Sequence, residues 1–144
     1  MIRTLTLLTL ALLSAPAFAD RAAPHVSGDR ILLNKKVHFE YDSEGIQRQS
    51  TEVLQDLARL MKNQPDLKVI EIRGHTDANG TMAYNQDLST RRADEVARFL
   101  VAHGVEGRRI RVRGYGESRP LYSGSGERID EANRRVEFVI VKRD

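Results

Sequence analysis

The chain has 144 residues, no cysteine, 23 basic against 20 acidic side chains for a net charge of +3, and aromatic residues at 6% of positions. That length holds one domain of ordinary size, which folds without staples, and the missing cysteines exclude disulfides, thiolate metal sites and a lipid-bearing N-terminal cysteine. Acids are interleaved with the basic residues almost everywhere rather than leaving a basic stripe, so nucleic acid is not an expected partner.

Residues 1–19, MIRTLTLLTLALLSAPAFA, carry one charge at Arg3, an apolar run from Leu5 to Leu13 and a small-x-small end at Ala17-Phe18-Ala19. These are the marks of a secretory signal peptide cut after Ala19. The apolar run falls short of the roughly 20 residues that a membrane-spanning helix needs. Loss of Arg3 lowers the basic count from 23 to 22 against 20 acids, leaving the mature chain at +2. The mature protein is expected to be exported, with no lipid or transmembrane anchor of its own.

Residues 20–30, DRAAPHVSGDR, read as a short polar linker punctuated by Pro24 and Gly28, and residues 31–144 as the folded domain. Alternation at Val37, Phe39 and Tyr41 predicts a half-buried first strand. Val53, Leu54, Leu57, Leu60 and Met61 recur at helical spacing up to Pro65. LKVIEIRG, residues 67–74, reads as a strand of branched residues ending at Gly74. Asn79-Gly80 then forms a turn, Thr81 caps a helix running from about Met82 to His103, and Gly104 ends it. In RRIRVRGYG, residues 108–116, Arg109, Arg111 and Arg113 alternate with Ile110 and Val112, which predicts a strand with one wet, cationic face. A glycine- and proline-containing loop leads to a short polar segment and a last strand with Val136, Phe138 and Ile140 inward. The order β-α-β-α-β-β, with one helical turn before the last strand, predicts an α+β chain: a two-layer α/β sandwich with the helices on one face of a mixed sheet.

One residue sits on the wrong side of its helix. At 100° per residue with Leu88 at zero, Phe99 falls at about 20°, Val96 at about 80° and Leu100 at about 120°, and Arg92 at about 40° lies among them. Arg91, Asp94 and Arg98 occupy the solvated side. An arginine in the apolar stripe must snorkel to the edge of the core or be neutralised, because an unpaired buried charge costs several kcal/mol. Asp77 lies on a loop at the carboxyl end of a strand and beside the same helix, where open α/β sheets bind ligands. Either the two residues form a structural ion pair, or they are held apart across a pocket. The second arrangement suits a ligand with an ammonium and a carboxylate on one carbon, gripped by arginine on one group and aspartate on the other. For an exported protein, an abundant and immobile source of that zwitterion is the diaminopimelate of the cell-wall peptide.

RGHTDANGTMAYNQDLSTRRADEVARFLVAHGV, followed by RIRVRGYGESRP and NRRVEF, closely resembles the OmpA-like C-terminal domain, the peptidoglycan-binding module also found in Pal lipoproteins and MotB-type stator proteins. The likeness covers about residues 31–144. It implies that Asp77, of the HTD motif, and Arg92, of LSxxRA, bind diaminopimelate, and that Asn85 and Arg134 line or support the site. Thr76 and Asn79 on the same loop, and Tyr41, Asp42 and Ser43 of FEYDS, enter the expected site with them. One departure is Asp130, in IDEANRR, where many members carry an arginine in GRxxNRR. The family's usual attachments, a β-barrel, a lipid-bearing cysteine or a transmembrane helix, are not expected in this chain.

The remaining constellations are weaker. His75 and Asp77 have a spacing that can seed a metal site, with His103 or Glu117 as further ligands, but no recognisable zinc set such as HExxH is present. Ser43 and Ser89 lack a histidine and acid at readable spacing. Arg109, Arg111 and Arg113 suit a polyanion, and the expectation is instead a solvated face balanced by Glu71 and Glu137 on neighbouring strands. The predicted function is non-catalytic binding of peptidoglycan, without cofactor or metal, in the periplasm of a Gram-negative bacterium and in contact with outer-membrane or envelope proteins. The competing expectation is an envelope assembly protein in which the Asp77–Arg92 pair is only structural; an envelope hydrolase is the weakest of the three.

Overall fold

Five strands and three α-helices organise residues 23–144, the part of the chain that the computed structural model describes. The expected signal peptide over residues 1–19 lies outside them. In chain order the elements are β1 (His25–Ser27), β2 (Arg30–Leu32), α1 (Thr51–Asn63), β3 (Leu67–His75), α2 (Met82–Ala102), β4 (Ile110–Gly114), α3 (Glu127–Asn133) and β5 (Arg135–Arg143).

The sheet order is β1-β2-β5-β3-β4, with β3 and β4 parallel and every other neighbouring pair antiparallel. The parallel pair needs a crossover, which α2 provides. Register sets the two faces: Ile70 pairs with Ile110 and Ile140, and Ile72 with Val112 and Phe138. Side chains alternate across a strand, so these residues share one face while Glu71, Arg73, Arg111 and Arg113 share the other. The first face meets Leu54, Leu57 and Met61 of α1 and Val96 and Leu100 of α2 in one core, all five without exposed surface. Each leucine buried to that extent contributes about 1.5–3 kcal/mol. The mixed two-layer architecture and the short helix before the last strand are those expected.

Two glycines allow α2 to lie close on the sheet. A Cβ on Gly74 of β3 would stand 2.1 Å from the Ser89 carbonyl oxygen, and one on Gly114 of β4 would stand 2.7 Å from the Thr90 backbone nitrogen. Only a hydrogen at those two positions permits such an approach.

The structure differs from expectation at the N-terminal end. His25–Ser27 and Arg30–Leu32, assigned largely to the linker, form an antiparallel pair that extends the sheet, with Ile31 buried against Phe138. The strand expected over 37–41 is instead a loop closed by one bridge between Phe39 and Ile46 and by a Glu40 N–H to Gly45 carbonyl bond. Its alternation is real for Val37 and Phe39 but ends at Tyr41, which is 97% exposed. Asp42 turns the chain with a φ of 49°. Arg109 is not part of β4: it lies in a 3-10 turn, Gly107–Arg109, and donates to the carbonyls of Met61, Gln64 and Leu67, closing the end of α1.

Candidate functional site

The carboxyl end of β3 runs directly into the loop 76–80 and then into α2, whose first turn is capped by the Thr81 hydroxyl accepting from the Tyr84 N–H at 3.1 Å. Above this corner the loop 36–44, α3 and Arg134 close a cleft of about 490 Å³. Asp77, Arg92, Tyr41, Asp42, Asn79, Asn85, Thr76 and Arg134 all line it.

Arg92 enters the cleft wall as the helical wheel requires, with Leu88 and Val96 buried on the same stripe. Its Nε donates to the Ser43 carbonyl at 2.9 Å, and its guanidinium lies 5.0 Å from the centre of the Phe39 ring. Burial pulls its pKa down, against the attraction of Tyr84, Asp77 and Asp42. Among the described residues no carboxylate lies within ion-pair distance of it. Asp77 and Arg92 therefore do not form the structural pair: they are held apart, both on the cleft wall.

Asp77 has other partners. One carboxylate oxygen accepts from the Asn79 N–H at 2.9 Å, and the other is bridged by Arg134 at 2.9 Å. Arg134 also holds Glu127 and Glu131, the latter at 2.9 Å. Burial works to lower the Arg134 pKa, but hydrogen bonds to Asp77, Glu131 and Glu127 outweigh it and raise it. Glu131 is in turn shared with Lys36 at 2.8 Å, the first cause of its lowered pKa. The three carboxylates around Arg134 and the unpaired Arg92 line the same cleft. Arg91, beside it on the wet side, ties Glu44 to the helix and helps hold the loop 42–44 in place.

Asn85 and Thr76 are buried, at 2% and 4% exposure. The Asn85 amide donates to the carbonyls of Asp77 and Asn79 and to a Glu117 oxygen at 2.7 Å, and the Thr76 hydroxyl to the Asp77 carbonyl at 2.8 Å. Both act on the shape of the Asp77 loop. Asp42 accepts from the Tyr84 hydroxyl, and the Ser43 hydroxyl accepts from the Gly45 N–H at 3.0 Å. Asp130, at the departure from the family pattern, accepts from the Asn79 amide at 3.0 Å and so pins the same loop from α3.

Several contributors carry no signal in the sequence: Phe39 under Arg92, Glu117 under Asn85, and Lys36, Glu127 and Glu131 around Arg134. Phe39, Glu117 and Lys36 meet Arg92, Asn85 and Glu131 across long stretches of chain, whereas Glu127 and Glu131 reach Arg134 locally from α3. The metal constellation is separated by the fold, since His75 stacks on Tyr115 at 5.3 Å while Asp77 is engaged by Arg134. Among the described residues no group of three or more His, Asp or Glu side chains is placed to hold a metal ion.

The sequence model described as the OmpA family matches residues 38–134. "Outer membrane porin F" of Pseudomonas fluorescens is 45% identical over 101 residues, 70% of this chain and 31% of the porin. "Peptidoglycan-associated lipoprotein" of Pseudomonas aeruginosa is 39% identical over 101 residues, 70% of this chain and 59% of the lipoprotein. This chain thus spans less than two thirds of either relative. Among solved structures, the peptidoglycan-associated lipoprotein of Burkholderia pseudomallei superposes with a TM-score of 0.67 at 35% identity, covering 73% of this chain and 89% of that one. No helix among the described residues is long and apolar enough to cross a membrane.

Proposed function

The chain belongs to the OmpA family, and from that premise we propose that it binds peptidoglycan without catalysis, through the free zwitterionic end of diaminopimelate in the stem peptide. Arg92 takes the ligand carboxylate in a two-point grip, and Asp77 accepts from the ammonium. Asn85 and Thr76 act indirectly by fixing the Asp77 loop. The observation that carries this reading is the Arg92 guanidinium in the cleft wall, half-covered and without a carboxylate at ion-pair distance among the described residues, in a cleft that Asp77 also lines. A zwitterion supplies the missing negative charge on one side and a positive charge for Asp77 on the other. Further support comes from the relatives that are peptidoglycan-associated lipoproteins. We place the protein in the periplasm of a Gram-negative cell, held at the envelope by the wall itself.

Sedimentation with insoluble peptidoglycan tests this. The parent protein is expected in the pellet, Asp77→Ala and Arg92→Ala in the supernatant while still folded at the assay temperature, and free diaminopimelate should release the parent. Variants that melt well below the parent yet still sediment would overturn the assignment and leave the two residues a structural role. Release of soluble muropeptides by the parent would instead make the protein a hydrolase.

A further inference from the structure

The face of the sheet turned away from α1 and α2 bears a charge that its own acids do not balance. Register and alternation bring Arg30 of β2, Arg73 of β3, Arg111 and Arg113 of β4 and Arg135 of β5 to this face with Glu71 and Glu137. The loop after β4 adds Arg119, whose guanidinium lies 4.1 Å from the centre of the Tyr115 ring. Six arginines against two glutamates leave a formal charge of +4 on these residues.

Those two glutamates are already engaged. Glu71 pairs with Arg73 at 2.7 Å, and Glu137 holds Arg135 at 3.1 Å and Arg30 at 3.3 Å. The expected balance by Glu71 and Glu137 thus does not reach Arg111, Arg113 or Arg119. These three are exposed, with no carboxylate within ion-pair distance among the described residues.

The geometry gathers the charge instead of dispersing it. Arg119, Arg113 and Arg73 converge on Tyr115 at 4.1, 5.6 and 5.9 Å, and the ring stacks on the buried His75 at 11°. Attraction to the ring face offsets part of the repulsion among the guanidinium groups, and their outward positive field is left uncompensated. Guanidinium groups favour phosphate, which they bind in two-point fashion. A protein interface is organised around a desolvated apolar or aromatic anchor. Here Tyr115 lies beneath arginines, so a broad anionic surface is the better match.

We propose that this sheet face docks on a membrane leaflet rich in anionic phospholipid headgroups, with Arg111, Arg113 and Arg119 contacting the lipid phosphates. The cleft lies at the carboxyl end of β3 and shares only Arg135 with the arginines of this face, so Arg111, Arg113 and Arg119 are not cleft residues. The attachment does not depend on the wall-binding reading, and the two fail separately.

Co-sedimentation of the mature full chain with vesicles of phosphatidylglycerol and phosphatidylcholine, against phosphatidylcholine alone, provides the test. Binding to the anionic vesicles only is expected, falling as salt rises. Each of Arg111→Gln, Arg113→Gln and Arg119→Gln should weaken it about fivefold, the equivalent of about 1 kcal/mol per basic residue near an anionic surface, and the triple variant about a hundredfold. All should keep the parent unfolding midpoint and peptidoglycan sedimentation. Arg98→Gln and Arg108→Gln, which remove charge elsewhere, should leave vesicle binding unchanged. Equal binding to both vesicle types overturns the proposal, as does an equal loss in the two control variants. Retention on polyglutamate beads with no vesicle binding also overturns it, in favour of an acidic protein partner.

Discussion

Gly74→Ala tests how the sheet sets the position of the cleft. The added methyl group would meet the Ser89 carbonyl oxygen at 2.1 Å and its carbon at 2.9 Å. Ordinary contact begins at 3.4 Å, so the oxygen must retreat by 3.4 − 2.1 = 1.3 Å. The obstacle is the backbone of α2, in a turn where Ser89 and Ala93 have no exposed surface. No side-chain rotation relieves it, and α2 must lift. Overpacking of a close-packed interior costs about 1–3 kcal/mol, and a backbone clash belongs at the upper end. Urea unfolding should therefore show a loss of about 3 kcal/mol with an unchanged m-value. Arg92 lies three residues beyond Ser89 and moves with it, so diaminopimelate affinity, measured calorimetrically on the folded fraction, should fall as well. Gly114→Ala pushes the same helix from the neighbouring strand, and the double variant should cost less than the two single losses added together. A Gly74→Ala loss below about 0.5 kcal/mol, in the range of an exposed substitution, would refute the close-approach account.

Three further perturbations follow from individual contacts. Thr81→Ala removes the α2 cap and should cost about 1 kcal/mol by chemical denaturation, with the largest rise in amide exchange at residues 82–85. Arg109→Met strips a charged donor from the carbonyls of Met61, Gln64 and Leu67, and a loss of about 1.5–3 kcal/mol is expected in the same assay. His75 is held neutral, its pKa lowered from 6.5 to about 4 by burial first and by Arg135 second; its Nε2 sits 3.4 Å from a Glu137 oxygen, without a hydrogen bond. On acidification the unfolded chain takes up a proton near pH 6.5 while the folded one does not until about pH 4, so folding stability must fall through that window. The slope reaches about 1.4 kcal/mol per pH unit, and His75→Gln should flatten it; equal slopes for parent and variant would count against the buried neutral ring.

The long elements were legible because their periodicity is strong: α1 and α2 repeat their apolar residues at helical spacing, and β3 and β5 carry branched residues up to clear breaks. The N-terminal hairpin was not, since two three-residue strands show no alternation worth the name and are stabilised by pairing with β5 through Ile31. Val37 and Phe39 imitated a strand because a loop pressed on the core also buries every second side chain. Within the cleft, Arg92 announced itself as a cation on an apolar stripe, and Asp77 by its place after β3. That Asp77 is engaged by Arg134, 57 positions away, could not be read from spacing. Asn85 and Thr76 sit on the right loop and helix, yet only burial shows that they shape the loop from below. Glu71 and Glu137 were rightly placed opposite arginines, and only the ion-pair geometry reveals which arginines they leave out.

Interior placement of β3 bears on how the fold would carry a load. Tension delivered at Asp77 enters along that strand, whose rungs to β4 and β5 on either side must all shear together before it slides. An edge ribbon such as β1 would unzip one rung after another under far less force. Under the proposed wall binding, a stiff polymer held at Asp77 would pull on a strand paired on both sides, and not on the hairpin, whose β1 is paired on one side only.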